Sequence, residues 1–208
     1  MRLVFFDFDG TLTTRDTIWP FASFLSANQV RPGAARVSFL LTLLLLKLRL
    51  ISNHRFKKHF LTMLLVGESK ERTAGLVRQF HQTQLEPVLN PAMVKVLLDH
   101  VAAGDEVYLV SSNFDFFLEP LQERWNLKGI LATQAEVLGG LYTGRILGRA
   151  CDGKEKLARV VNCFGELRAR EAVAYGDSRG DSFLLVFVKT GHWVGSRGGA
   201  SFVRCHPA

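Results

Sequence analysis

Asp7 and Asp9 stand two residues apart where an apolar run ends, in LVFFDFDGTLT. Carboxylates this close repel, and in a cleft at least one holds its proton unless a cation intervenes. Two more acids, Asp177 and Asp181, close a second apolar run in AYGDSRGD. A third run, VYLVSSN, ends on the hydroxyls of Ser111 and Ser112, and Lys156 lies in GKEKLARV. These residue types suit phosphoryl chemistry. A hard dication such as Mg²⁺ takes a sparse set of oxygen ligands, completed by water and a phosphate oxygen. Asp7, Asp177 and the main-chain carbonyl of Asp9 can make that set. Asp7 can then attack phosphorus, since carboxylates form aspartyl-phosphates. Asp9 can protonate a leaving alkoxide and later deprotonate water. Lys156 supplies a point charge for the phosphoryl oxygens. Ser111, with the backbone N–H groups of Ser112 and Asn113, supplies an anion nest. Strand alternation lets only one of Ser111 and Ser112 face the site. Lys154 is the alternative to Lys156, which the spacing to Leu157 and Val160 favours.

These residues need elements that bring them to one rim. RLVFF reads as a buried strand, and DEVYLVSS, GILAT, EAVAYGDS and GHWVG as further strands. Helical patterns separate them: NPAMVKVLLDHVAAG, with Asn90 as N-cap and Pro91 in the first turn, then FDFFLEPLQERWN, GKEKLARVVNCFG and RGDSFLLVFV. EVLGGLYTGRIL reads as a hairpin turning at Gly139-Gly140. Strands alternating with helices predict an α/β fold with a parallel sheet, in which the site lies at the carboxyl ends of the strands. Between the first strand and the rest, the pattern is helical only: DTIWPFASFLSANQV, GAARVSFLLTLLLLKLRLI, NHRFKKHFLTMLLVG and SKERTAGLVRQFHQTQL. Asn53 and Ser69 read as N-caps there and Gly67 as a stop.

The four motifs, FFDFDGTLT, VYLVSSN, GKEKLARV and AYGDSRGD, resemble in type and order those of the haloacid dehalogenase (HAD) superfamily, over almost the whole chain. The helical insert resembles the cap of subfamily IB, the phosphoserine phosphatase-like members. The resemblance implies a Rossmann-like core of residues 1–14 and 90–208, with an α-helical bundle cap inserted over 15–89. It also implies a Mg²⁺-dependent phosphomonoesterase working through an aspartyl-phosphate. Asp7 would be the nucleophile, Asp9 the general acid/base, Asp177 the metal carboxylate and Asp181 a helper in the metal shell, with Ser111 and Lys156 on the phosphoryl oxygens. In the phosphoserine enzymes a glutamate after the first motif reads the substrate amine and a cap arginine its carboxylate. The matching acid here is Asp16, one methylene shorter, and the matching stretch HFLTMLLVG has no arginine. The expected substrate is therefore a small phosphorylated molecule of unspecified kind.

Composition narrows the setting. The chain has 208 residues, nearly half of them hydrophobic, which suits a globular fold. Met1-Arg2 leads straight into a strand, with no secretory pattern, and Cys151, Cys163 and Cys205 form neither an even set nor a CxxC. Both features predict a cytoplasmic protein. The net charge is +7 and is uneven: residues 15–95 hold 12 Lys and Arg against 4 Asp and Glu, and the remainder 14 against 15. The run Val37–Leu46 is about half the length of a spanning helix. It suits a buried bundle helix, or a segment lying on a membrane with Lys47, Arg49 and Arg55 near headgroups. That second option makes a lipid phosphate, such as phosphatidylglycerophosphate, the alternative substrate. Two other classes remain: a Mg²⁺-binding module without turnover, and a phosphotransferase. Nothing in the chain points to nucleic acid, since the charge is diffuse and Trp19, Trp125 and Trp193 are scattered.

Overall fold

The computed structural model describes residues 1–28 and 51–195 and the backbone of 200–203. The helix expected over the apolar run Val37–Leu46 lies outside the described residues. The chain forms two compact units, one of residues 1–16, 87–132 and 151–208, the other of 17–86 and 133–150.

The first unit is built on a sheet in the order β3-β2-β1-β6-β7-β8. Its strands are β1 (Leu3–Phe6), β2 (Glu106–Phe114), β3 (Gly129–Thr133), β6 (Val173–Gly176), β7 (Thr190–Val194) and β8 (Ala200–Val203). β1 is central and parallel to both neighbours, with Phe6 opposite Leu109 on one side and Tyr175 on the other. All four of its residues are buried, as a strand covered on both faces requires. Phe5 packs with Val160, Ala174, Leu184 and Leu185 in one core. Phe6, Tyr175 and His192 stack across three strands, with centroids 4.5 Å apart at each step. β7 is parallel to β6, whereas β8 runs antiparallel to β7 and was not expected from the sequence. The helices of this unit are α4 (Pro91–Ala102), α5 (Asp115–Arg124), α6 (Lys154–Phe164), α7 (Glu166–Arg170) and α8 (Ser182–Phe187). Asn90 caps α4 by accepting from the Met93 N–H at 3.4 Å, with Pro91 in the first turn.

The second unit contains α1 (Ile18–Ala27), α2 (Asn53–Leu64) and α3 (Lys70–Phe80). Phe21 packs its ring 5.2 Å from Phe80 and 6.3 Å from Phe60. The N-cap of α2 is Ser52 rather than Asn53: its hydroxyl accepts from the Arg55 N–H. Ser69 caps α3 in the same way. β4 (Ala135–Leu138) and β5 (Leu141–Ile146) form the expected hairpin, with Gly139 and Gly140 both at positive φ. The sequence assigned this hairpin to the sheet core; it packs instead within the helical unit. The loop between α2 and α3 and the first residue of α3 pin it there, because the Gly67 N–H donates to the Tyr142 carbonyl at 2.8 Å and the Lys70 N–H to that of Gly140 at 2.9 Å. Gly144 allows the contact, since a Cβ there would fall 2.3 Å from Val66. By sequence this unit holds 12 Lys and Arg against 4 Asp and Glu, and the sheet unit 14 against 15. Among the described residues, no helix is long and apolar enough to cross a membrane.

Candidate active site

The site forms where the chain leaves β1 and β6. The Asp7 N–H donates to the Tyr175 carbonyl at 2.9 Å, which extends the ladder to the first acid and the Gly176–Asp177 turn. The chain then doubles back: the N–H groups of Leu12 and Thr13 both bond the Phe8 carbonyl, and the Gly10 N–H bonds Thr13 Oγ1 at 3.2 Å. Gly10 has φ +82, and a Cβ there would lie 2.1 Å from Asp177 Oδ2. Only glycine lets the two acidic loops approach this closely.

Asp7, Asp177 and Asp181 bring carboxylate oxygens within 4.8 Å of one another. Lys156, 2% exposed on α6, sits among them. Its Nζ donates to Asp7 Oδ1 at 2.6 Å and to Asp181 Oδ1. Lys154 is exposed and lies over the Phe183 ring, so Lys156 is the lysine of this cluster. Asp181 Oδ2 accepts from the N–H groups of Asp177 and Ser178 and from the Ser178 hydroxyl. Asp181 thus spends both oxygens bracing the loop and the lysine. Asp177 Oδ1 accepts from Thr11 Oγ1 at 3.2 Å. Among the described residues, the bonds that reach Asp7 and Asp177 from other side chains fall on Oδ1 of each.

Burial, then the Asp181 charge, pushes Asp7 up to about 8 against the pull of Lys156. The same two causes push Asp177 up to about 6, opposed by Thr11 and Lys156. Burial alone would lower Lys156, but Asp7 and Asp181 hold it above its ordinary value. Two crowded carboxyls, pushed up by burial and by a like charge, fit a hard dication such as Mg²⁺, which relieves that repulsion. Asp7 and Asp177 would hold it directly, and Asp181 from behind.

The raised carboxyls carry a stability signature. Between the ordinary 3.8 and about 6 for Asp177, or about 8 for Asp7, the folded chain binds more protons than the unfolded chain. Stability without metal therefore falls as pH rises through that window. Burial lowers His59 and His192, which act in the opposite sense below 6.5. The metal-dependent difference isolates the carboxyls. Melting in chelator and in Mg²⁺ at pH 5 and pH 8 should show a larger Mg²⁺ gain at pH 8; an equal gain at both, or none, contradicts the assignment.

Ser111 is 1% exposed near the end of β2, and Ser112 is half-buried. β2 continues to Phe114, so the strand does not stop at the serines and α5 opens only at Asp115. The Asn113 N–H, expected in an anion nest, donates to Ser111 Oγ at 3.2 Å. Asn113 Nδ2 donates to Asp9 Oδ2 at 2.9 Å, which ties β2 to the second acid. The Asp9 side chain lies outside the three-carboxylate cluster. Asp16 is exposed just before the N-cap of α1, which is Thr17. Thr11, Asn113 and Ser178 received no side-chain role from the sequence. Thr11 was within the DGT motif, and Ser178 follows Asp177 directly.

Residues 4–185 match the family model for haloacid dehalogenase-like hydrolases. Protein CicA of Caulobacter vibrioides is 28% identical over 190 residues, which cover 88% of this chain and 81% of that protein. A phosphoserine phosphatase of a Polaromonas species is 26% identical over 86% of this chain and 73% of its own. Among solved structures, a Bordetella pertussis protein of unknown function superposes with a TM-score of 0.80 at 27% identity, covering 88% of this chain and 85% of that one. A phosphoserine phosphatase bearing a phospho-aspartyl intermediate analogue shares the fold, with a TM-score of 0.64 at 17% identity over 90% and 83% of the two chains.

Proposed function

Because the chain belongs to the haloacid dehalogenase-like hydrolase family and is a phosphoric monoester hydrolase, we propose that it cleaves a small phosphomonoester through an aspartyl-phosphate on Asp7, with Mg²⁺ as cofactor. The observation that carries this reading is the setting of Asp7: Lys156 holds one of its oxygens, and its carboxylate comes within 4.8 Å of those of Asp177 and Asp181. An Asp7 oxygen attacks phosphorus, and the bond from phosphorus to the ester oxygen breaks. Asp9 gives its proton to the departing alkoxide. Water then attacks the phosphorus of the acyl phosphate while Asp9 takes the water proton, which releases phosphate and restores Asp7. Lys156 steadies negative charge on the reacting oxygens, and Ser111 binds the phosphoryl group. When bound, Mg²⁺ neutralises carboxylate and phosphoryl charge together. The binding-module reading is set aside, because the chain is an enzyme.

A Mg²⁺-dependent screen over amino-acid, sugar, nucleotide and lipid phosphates, with 4-nitrophenyl phosphate as the generic substrate, tests this. Phosphate release that chelator stops is expected; no release from any class sinks the proposal. Alcohols added to the same assay should leave the product as inorganic phosphate; a new phosphoester would make the enzyme a transferase.

The uneven charge favours a second reading, in which the substrate is a lipid phosphate and the helical unit meets an anionic membrane surface. Flotation with vesicles containing anionic lipid should then retain the protein at low salt, and failure to float removes this reading.

A further inference from the structure

We propose that Asn113 is a positioning residue that sets the Asp9 carboxylate for proton transfer to the leaving group. Asn113 is fully buried at the end of β2. A buried amide is costly unless its donors and acceptor are used. Its Oδ1 accepts from the Phe114 N–H at 2.8 Å, and an N–H can only donate, so this bond fixes which end of the amide is oxygen. Nδ2 is thereby aimed at Asp9 Oδ2, 2.9 Å away. The Asn113 N–H in turn bonds Ser111 Oγ at 3.2 Å. One rigid strand end therefore holds a serine assigned to phosphate binding and the carboxylate assigned to proton transfer. Asp9 itself stands beside Gly10, in the turn after β1, where its side chain chooses among staggered rotamers. The bond from Asn113 favours the one in which Oδ2 meets its amide. A group that fills space at a strand end has no need of an amide aimed at a carboxylate.

This inference rests on the proposed Asp9 chemistry, and leaving-group dependence separates the two. An alkoxide needs a proton as it departs; 4-nitrophenolate does not. The quantity kcat/KM reports only steps up to phosphorylation of Asp7, before water enters. For Asn113→Ala, the loss in kcat/KM on an alkyl phosphate should exceed the loss on 4-nitrophenyl phosphate by about 10-fold or more, within the range of general acid catalysis. The alkyl loss should fall on kcat rather than KM. Asn113→Asp keeps the shape but replaces the donor with a repelling carboxylate, so it should show the same selectivity. It also serves as the test should the alanine variant not fold. Equal losses on both phosphates, or none on either, would overturn the inference while leaving the phosphatase reading intact. A wild-type protein that turned over neither would sink both.

Discussion

On the proposed mechanism, Asp7→Asn should lower phosphate release by about 10⁴-fold or more, because an amide does not form the aspartyl-phosphate. The fold should survive. An amide occupies the same volume, and the substitution removes a buried carboxyl whose ionisation costs stability, while Lys156 keeps its bond to Asp181. Two measurements separate these effects: phosphate release under saturating Mg²⁺ and thermal melting in chelator. Turnover like that of the wild type would end the nucleophile assignment. Lost turnover with a melting point near or above the wild type's in chelator is the expected pair.

Lys156→Met should be the most damaging change to stability within the site. Methionine matches the lysine's length and leaves Asp7 and Asp181, exposed by only 7% and 2%, without their shared cation. Removing one member of a buried charge cluster costs about 3–5 kcal/mol. The loss should be greatest near pH 8 and should shrink toward pH 5, where Asp7 can take a proton instead. Mg²⁺ should recover part of it by supplying positive charge to Asp7. Turnover should also fall by about 10²- to 10³-fold, since charge developing on the phosphoryl oxygens loses a fixed partner. Urea denaturation at both pH values checks the stability half. A variant as stable as the wild type at pH 8 would show that the lysine is not what makes the acidic cluster tolerable.

The order of the motifs was legible because Asp7 and Asp177 stand where apolar runs stop. Asp7, Lys156, Asp177 and Asp181 converge as that order implied. What the sequence left open depends on contacts between distant segments. Gly139-Gly140 announces a hairpin but says nothing of its partner, which is set by main-chain bonds from Gly67 and Lys70. Burial likewise separated Lys156 from Lys154, as the spacing on α6 suggested. The sequence points only to the Asn113 N–H, because a strand that stops at the serines places the side chain in a loop; β2 instead runs to Phe114 and carries it inward. Ser52 displaced Asn53 as a cap because both residue types suit that position and only local geometry chooses. β8 is four residues long, with no alternation strong enough to distinguish it from a loop.

Trapping the covalent intermediate is the most direct measurement. The enzyme should be mixed with substrate and Mg²⁺, quenched in acid during turnover and treated with borohydride, which reduces an acyl phosphate to an alcohol. Peptide mass spectrometry should then find homoserine at position 7, dependent on substrate and absent from Asp7→Asn. Phosphate or homoserine at another residue, or turnover that leaves every carboxylate unmodified, would contradict a nucleophilic role for Asp7.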